Sequence, residues 1–317
     1  MVAVVALLSI AGAAHGLDFP RFMQLRNISE KASDEMLEEE RVSEVLNEDA
    51  SYRSLLQSVQ NPDVPLKKFV KPGEDLRYQA QCRGLPAGSI RLYTKRMREL
   101  KGRPVFVFDV NFESNDFLSS FYEVKSTINS YVDADNGRSY LIRRQVSERN
   151  RFYRDRLEFK YDFVMDNGIN DPVSRYSRVE EDGKEKAQQP FPIPGNMQDM
   201  VSVIYYIRGS GLAKVGDSCN FLLGGRKKPV LTKITVVAEE TVSIPNIGKF
   251  DCLIVEPVTD GTNLSGNLVA TRGGERVWLE KNTLIPVKVS AEFPKPLGTV
   301  VATLIYADKS ELTKYGK

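Results

Sequence analysis

Histidine is nearly missing from this 317-residue sequence, which contains one, His15. Ser-His-Asp and Cys-His catalysis need an imidazole that titrates near neutral pH, and catalytic zinc sites usually take at least one histidine. A single copy in the first residues argues against all three. Cysteine is scarce as well. Cys82, Cys219 and Cys252 stand far apart with no C-x-x-C pair and no adjacent base, so neither a metal site nor a catalytic thiol is expected. In an exported chain an odd count permits one disulfide with a thiol left over, and three buried thiols acting as small hydrophobes fit as well. Charge of one sign is also lacking. The 44 Lys plus Arg and 42 Asp plus Glu leave a formal net charge of +2, which gives no broad basic footprint for nucleic acid. No cofactor motif is present, and no cofactor is expected.

Long hydrophobic runs are missing with one exception. Val2 to Ala14 is apolar and uncharged, too short to span a bilayer, and followed by Ala14-His15-Gly16, whose small residues suit a signal peptidase. Residues 1–16 therefore read as a cleaved export signal, despite the absence of a basic residue before the run. A mature chain from Leu17 contains no histidine and no expected transmembrane segment. No cysteine sits just after the cleavage point, which argues against a lipid anchor.

What is present divides into four parts. Residues 29–50 carry nine acids and two bases around Met36, Leu37, Val42, Val45 and Leu46, a ragged apolar stripe that predicts an exposed helix. Residues 17–65 thus form an acidic helical extension or linker, punctuated by Asn61-Pro62-Asp63-Val64-Pro65. From Phe69 the period changes to two. Phe106, Phe108, Val110 and Phe112 alternate with Val107, Asp109 and Asn111, and Leu157, Phe159, Tyr161 and Phe163 alternate with Glu158, Lys160 and Asp162. Further strands read at 229–238, 249–257, 275–281, 285–293 and 298–307. Asp135-Asn136-Gly137 predicts a type I′ hairpin turn. The fold expected over 66–310 is mainly β, an antiparallel sheet curled into a barrel, half-barrel or sandwich, with a tail at 311–317. One helix is expected to interrupt it. Met197, Met200, Val201, Ile204 and Ile207 recur at helical spacing after Pro190, Pro192 and Pro194, as a plug or lid packed on the sheet.

Several short motifs run through this region. Phe69-x-x-Pro72-Gly73-Glu74-x-Leu76-x-Tyr78 is followed by Gly84 and Ala87-Gly88. Then come Pro192-x-Pro194-x-x-x-Gln198-Asp199-x-x-Ser202-x-x-Tyr205-Tyr206-x-Arg208 and Gly248-x-Phe250-x-Cys252-x-x-Val255-x-Pro257. Val277-Trp278-Leu279, Ile285-Pro286-Val287 and Gly298-Thr299-Val300 complete the set. In order and spacing these resemble the bacterial exported family DUF3108 over roughly 69–307. The resemblance implies a β-rich fold and an exported location, in the periplasm or associated with the outer envelope of a Gram-negative-type bacterium. The family has no assigned function, so no catalytic residue is carried over.

The candidate ligand-contacting residues fall into three groups. Trp278, the only tryptophan, reads as a core anchor or as a stacking platform. Asp199, Tyr205 and Arg208 lie along the expected helix, where they line a cavity mouth or tie the helix to a strand. Residues 138–160 hold eight bases against Glu148, Asp155 and Glu158, and within them Arg143, Arg144, Arg149 and Arg151 are candidates for an anionic contact. Strand alternation places Arg143 and Arg144 on opposite faces. The function expected is a non-catalytic exported binding protein for an apolar, lipid-like or glycan ligand or an envelope protein, without nucleic acid. The alternative is a histidine-free polysaccharide-active enzyme using paired carboxylates.

Overall fold

The computed structural model describes residues 62–148, 151–161, 172–193, 195–225, 229–260, 275–293 and 298–307. The expected leader, acidic helix and tail lie outside these residues, as do Arg149 and Phe163. Strands β1 (Asp75–Cys82), β2 (Leu85–Thr94), β3 (Arg98–Leu100) and β4 (Arg103–Ser114) come first, followed by helix α1 (Asp116–Tyr122). Next are β5 (Val124–Asp133), β6 (Ser139–Glu148), β7 (Arg151–Lys160), β8 (Val173–Glu180), β9 (Glu185–Ala187), β10 (Phe191–Pro192) and β11 (Met197–Gln198). After helix α2 (Ser202–Tyr206) the chain forms β12 (Ser218–Leu223), β13 (Val230–Ile244), β14 (Gly248–Asp260), β15 (Arg276–Glu280), β16 (Pro286–Phe293) and β17 (Gly298–Ala307).

All of these strands join one sheet, in the order β11 through β17, then β1, β2, β4 and on to β9. β3 continues the line of β2 along β4, and β10 continues that of β9 along β8. Neighbours pair antiparallel except β11 with β12. The hairpins follow from period-two patterning. In β4, Phe106, Phe108, Val110 and Phe112 are buried while Asn111 faces solvent, and in β7 the buried residues are Tyr153, Asp155, Leu157 and Phe159. Each fully buried side chain of this size contributes about 1.5–3 kcal/mol.

Turn chemistry departs from expectation at one place. Asn136 is not in the left-handed region, and within 135–137 only Gly137 has positive φ, at 73°. The β5–β6 turn is longer than two residues because the buried Asp133 organises it. Its Oδ1 accepts from the N–H groups of Asp135 and Asn136, and the Gly137 N–H returns to the Asp133 carbonyl. A Cβ at Gly137 would lie 2.8 Å from the Val64 carbonyl, so glycine also lets the extended segment before β1 approach. That segment is packed, with Val64 and Leu66 buried and the Val64 N–H bonded to the Asn136 carbonyl. Two-residue turns with positive φ at both positions occur instead at Arg83-Gly84, between Cys82 and Leu85, and at Lys101-Gly102, between Leu100 and Arg103.

The sheet curls around the segment 197–208. Asp199 bonds to Ser130 on β5 and Ser139 on β6, Tyr205 stacks on Phe108 of β4, and Arg208 reaches Glu74 just before β1. Tyr206 meets Phe221 of β12 edge-on, with ring centroids 6.5 Å apart, while Ile204 and Ile207 face β13 to β16. A twelve-residue stretch touches strands from both halves of one sheet only if that sheet wraps it. The fold class is therefore as the sequence predicts: mainly β, a curled antiparallel sheet with a packed helix inside. Among the described residues the ends at β9–β10 and at β11 do not pair with each other, so the sheet is open, and the β10–β11 connection crosses the gap.

The plug helix is shorter than its apolar spacing predicts. Met197 and Gln198 pair with Leu222 and Leu223 of β12, and the Gly224 N–H donates to the Gln198 carbonyl. The helix begins only after Asp199, whose Oδ1 accepts from the N–H groups of Val201 and Ser202. Met197 and Met200 both face the core, so a strand-to-helix transition reproduces helical spacing. A second helix, α1, was not expected from the pattern. Its N-cap Asn115 accepts from the Leu118 N–H.

Candidate functional site

The predicted residues separate into an interior group and an outer face. Inside, Asp199 is fully buried and holds four groups: Ser130 Oγ at 2.6 Å, Ser139 Oγ at 2.5 Å, and two backbone N–H groups at the start of α2. Burial pushes its carboxyl above the ordinary value, and the hydroxyl and N–H donors oppose that push. Ser202 Oγ donates to Gln198 Oε1, whose amide donates to the Gly137 carbonyl and to Asn196. Tyr161 accepts from the Met197 N–H and donates to the Ser139 carbonyl. The plug is thus tied to the β5–β6 hairpin at several points.

Three residues further along, the Tyr205 ring lies 3.6 Å from Phe108, and the Arg208 guanidinium sits 5.1 Å from the Tyr205 ring centroid. Arg208 Nη1 donates to Glu74 Oε2 at 2.8 Å, with both side chains 1% exposed. Glu74 Oε1 and the remaining Arg208 nitrogens, Nε and Nη2, are buried without a hydrogen-bond partner. Asp199, Tyr205 and Arg208 therefore lie together in the interior and tie the helix to strands.

A second interior cluster sits between β6 and β8. Arg144, 4% exposed, donates to Asp155, which also accepts from Arg178 at 2.6 Å and from Tyr176 at 2.8 Å. Burial alone would raise the Asp155 carboxyl, but Arg144 and Arg178 outweigh it and hold the group below its ordinary value. Glu148 nearby is pushed up by burial, with Arg151, Arg144 and Arg178 opposing. Arg178 also covers the Tyr153 ring at 4.0 Å.

Trp278 lies apart from both clusters. Val277 and Leu279 face Ile204 and Ile207 across an apolar seam with about 10 Å³ of free space, so alternation turns Trp278 to the other side of β15. There it is 6% exposed, donates to Glu240 at 2.7 Å, and carries Lys288 Nζ 4.3 Å above its ring. Its ring face is occupied by that lysine. The cysteines are separate thiols, and burial pushes Cys219 up to about 11 and Cys252 to about 12.

The outer face of β5 to β9 presents the remaining arginines. Arg143 and Arg144 point to opposite faces, as alternation requires. Arg143 is exposed, opposite Asn129 on β5 and Arg156 on β7. Gln145 stands opposite Thr127 and Arg154. Arg151 pairs in register with Glu148, on the face of Arg144, so it does not join Arg143. Sequence reasoning did not single out Arg154 and Arg156. A hairpin closed at residues 149–150 would have placed both beside Arg143. These side chains border a depression of about 350 Å³ with Ser177, Val179 and Glu185 at its far end. Among the described residues neither Arg143 nor Arg154 has a carboxylate partner. Arg143 rests over Tyr131 at 5.8 Å and Arg154 over Phe152 at 5.1 Å.

Fold and site together define a class: a curled, open antiparallel sheet held around an internal plug, with a basic depression on its outer face. The chain belongs to the family described as "Protein of unknown function (DUF3108)", whose model matches residues 77–305. No curated protein matches it. Among solved structures it is similar to a β-barrel-like protein of the domain of unknown function DUF1849 from Brucella abortus. That pair shares 11% identity over 75% of this chain and 98% of the other, with a TM-score of 0.44. It is also similar to a Bacteroides fragilis protein assigned as exported, with a YmcC-like fold. There the identity is 11% over 79% of this chain and 100% of the other, and the TM-score is 0.31. No helix among the described residues is long and apolar enough to cross a membrane.

Proposed function

We propose that this protein is an exported, non-catalytic binding protein whose ligand is anionic and is held on the outer face of β6 and β7. The observation that carries this reading is the lack of a carboxylate partner at Arg143 and Arg154, which border one depression on a face where several other bases are neutralised. Arg77 and Arg91 share Asp75, Lys95 pairs with Asp109, Lys125 with Glu113, and Arg156 with Glu158. Arg143 and Arg156 stand directly opposite each other on neighbouring strands, and Glu158 neutralises only one member of this like-charged pair. The exported location rests on residues 1–16. A binding rather than catalytic role is supported by the engagement of four buried carboxylates, although Glu148 keeps one buried oxygen without a hydrogen-bond partner. Glu74 is held by Arg208, Asp155 by Arg144 and Arg178, Asp199 by two serines, and Glu280 by the Asn282 and Thr283 N–H groups. The apolar seam is too small for a lipid chain, which places less weight on an apolar ligand.

Calorimetric titration with inorganic phosphate and with uronate anions, at low and physiological ionic strength, tests the reading. Binding that weakens with salt and is lost in Arg143→Glu/Arg154→Glu is expected, because exposed attraction is screened over about 10 Å at 0.1 M salt. Absence of binding to every anion at low salt would overturn it.

A further inference from the structure

We infer that the ligand is an extended anionic saccharide chain lying across the strands from β5 to β9, an inference that rests on the anion-binding reading above. Two registered rows of side chains form the floor. One runs Asn129, Arg143, Arg156, Ser177, and the other runs Thr127, Gln145, Arg154, Val179 and ends at Glu185. Neighbouring strands lie about 4.8 Å apart and alternate residues on one strand about 6.8 Å apart, so the floor is roughly 19 Å long and two side chains wide. An isolated phosphate or carboxylate would occupy one corner of it. A pyranose ring is about as long as one interstrand step, so a short chain places its acidic groups over Arg143, Arg154 and Arg156. Its hydroxyls then lie over the amides and hydroxyls of Asn129, Thr127, Gln145 and Ser177.

Other polyanions fit this floor less well. A single-stranded nucleic acid needs free aromatic faces for its bases, and Tyr131 and Phe152 are already covered by Arg143 and Arg154. An acidic peptide bound by main-chain pairing needs a free sheet edge, which these rows meet only at Glu185 on β9. A bilayer surface asks for insertion of large apolar side chains, and Val179 is the one hydrophobic residue among those lining the depression. Glu185 closes one end and disfavours a charged unit there, so the chain is oriented or stops at β9.

The test titrates the full chain at low salt with galacturonic acid, oligogalacturonates of increasing length, a neutral glucan oligomer of equal length, polyglutamate and anionic vesicles. Affinity is expected to rise with oligogalacturonate length and level off near four units, the oligomer exceeding the monomer by on the order of 100-fold. The neutral oligomer does not bind, and Arg143→Glu and Arg156→Glu each weaken the oligomer while circular dichroism stays native. Equal affinity for monomer and oligomer would overturn the chain inference and leave the anion reading standing. Tighter binding of polyglutamate or vesicles would overturn it in favour of those partners. No binding of any anion would remove both.

Discussion

The interior of the sheet pairs its arginines with carboxylates, whereas the outer face pairs some and leaves others unpaired. Inside, Arg208 meets Glu74, and Arg144 meets an Asp155 that is also held by Arg178 and Tyr176. Outside, Arg143 and Arg154 meet no carboxylate and lie over aromatic rings. The neighbours Arg143 and Arg144 belong to different sides of this divide because β-strand side chains alternate. A buried charge must be paired, since desolvation costs several kcal/mol per ion. An exposed guanidinium has no such requirement, because water can satisfy its donors. Facing outward allows an arginine to stay unpaired but does not ensure it, since Arg77, Arg91 and Arg156 on the outer face meet carboxylates.

The comparison breaks most readily at the plug. Arg208→Ala strands the Glu74 carboxylate in the core and is expected to cost about 3–5 kcal/mol in urea unfolding. Replacing both partners, as Glu74→Leu/Arg208→Met, should recover much of that loss, because no charge is then left unpaired. A smaller effect is expected for Arg144→Ala, about 2 kcal/mol, since Asp155 keeps Arg178 and Tyr176. Recovery failing in the double variant would show that the pair does more than satisfy its own charges.

Acid unfolding sharpens the same contrast. Asp155 titrates below its ordinary value in the folded protein, so its contribution is present above the unfolded value of about 3.9 and is lost as pH falls through the lower folded value. Asp199 has the opposite sign. Its folded value is raised, so the folded state loses stability as pH rises through the ordinary value. Asp155→Asn should flatten the acid limb of the stability profile, whereas the deficit of Asp199→Asn relative to wild type should narrow between about pH 3 and pH 7. Thermal melts across that range measure both. The smallest stability effect is expected at the outer face, where Arg143→Ala should stay within about 0.5 kcal/mol of wild type.

Much of the fold was legible because period-two patterning survives wherever one face is buried. The aromatics of β4 and β7 and the late strands lie close to where alternation puts them, although β13 runs on to Ile244. The plug was legible as an apolar segment but not as a short helix. Both a strand facing the core and a helix facing the core bring Met197 and Met200 inward, and the deciding contacts to Leu222, Leu223 and Gly224 are non-local. The β5–β6 turn was misread for a related reason: Asn136-Gly137 has the right local chemistry, but the Asp133 carboxylate imposes a longer loop. At the candidate site, alternation separated Arg143 from Arg144 in advance. It did not say which of them faced water, and it did not supply the register that brings Arg154 and Arg156 alongside Arg143.

Melting temperature and oligogalacturonate binding at low salt, measured together on Arg143→Glu and Arg144→Ala, bear most directly on the division between the paired Arg144 inside and the unpaired Arg143 outside. Arg143→Glu is predicted to melt like wild type and to lose binding. Arg144→Ala is predicted to melt lower by several degrees, at about 2–4 °C per kcal/mol for a domain of this size, and to bind normally while folded. Wild-type affinity in Arg143→Glu, or wild-type melting in Arg144→Ala, would contradict it.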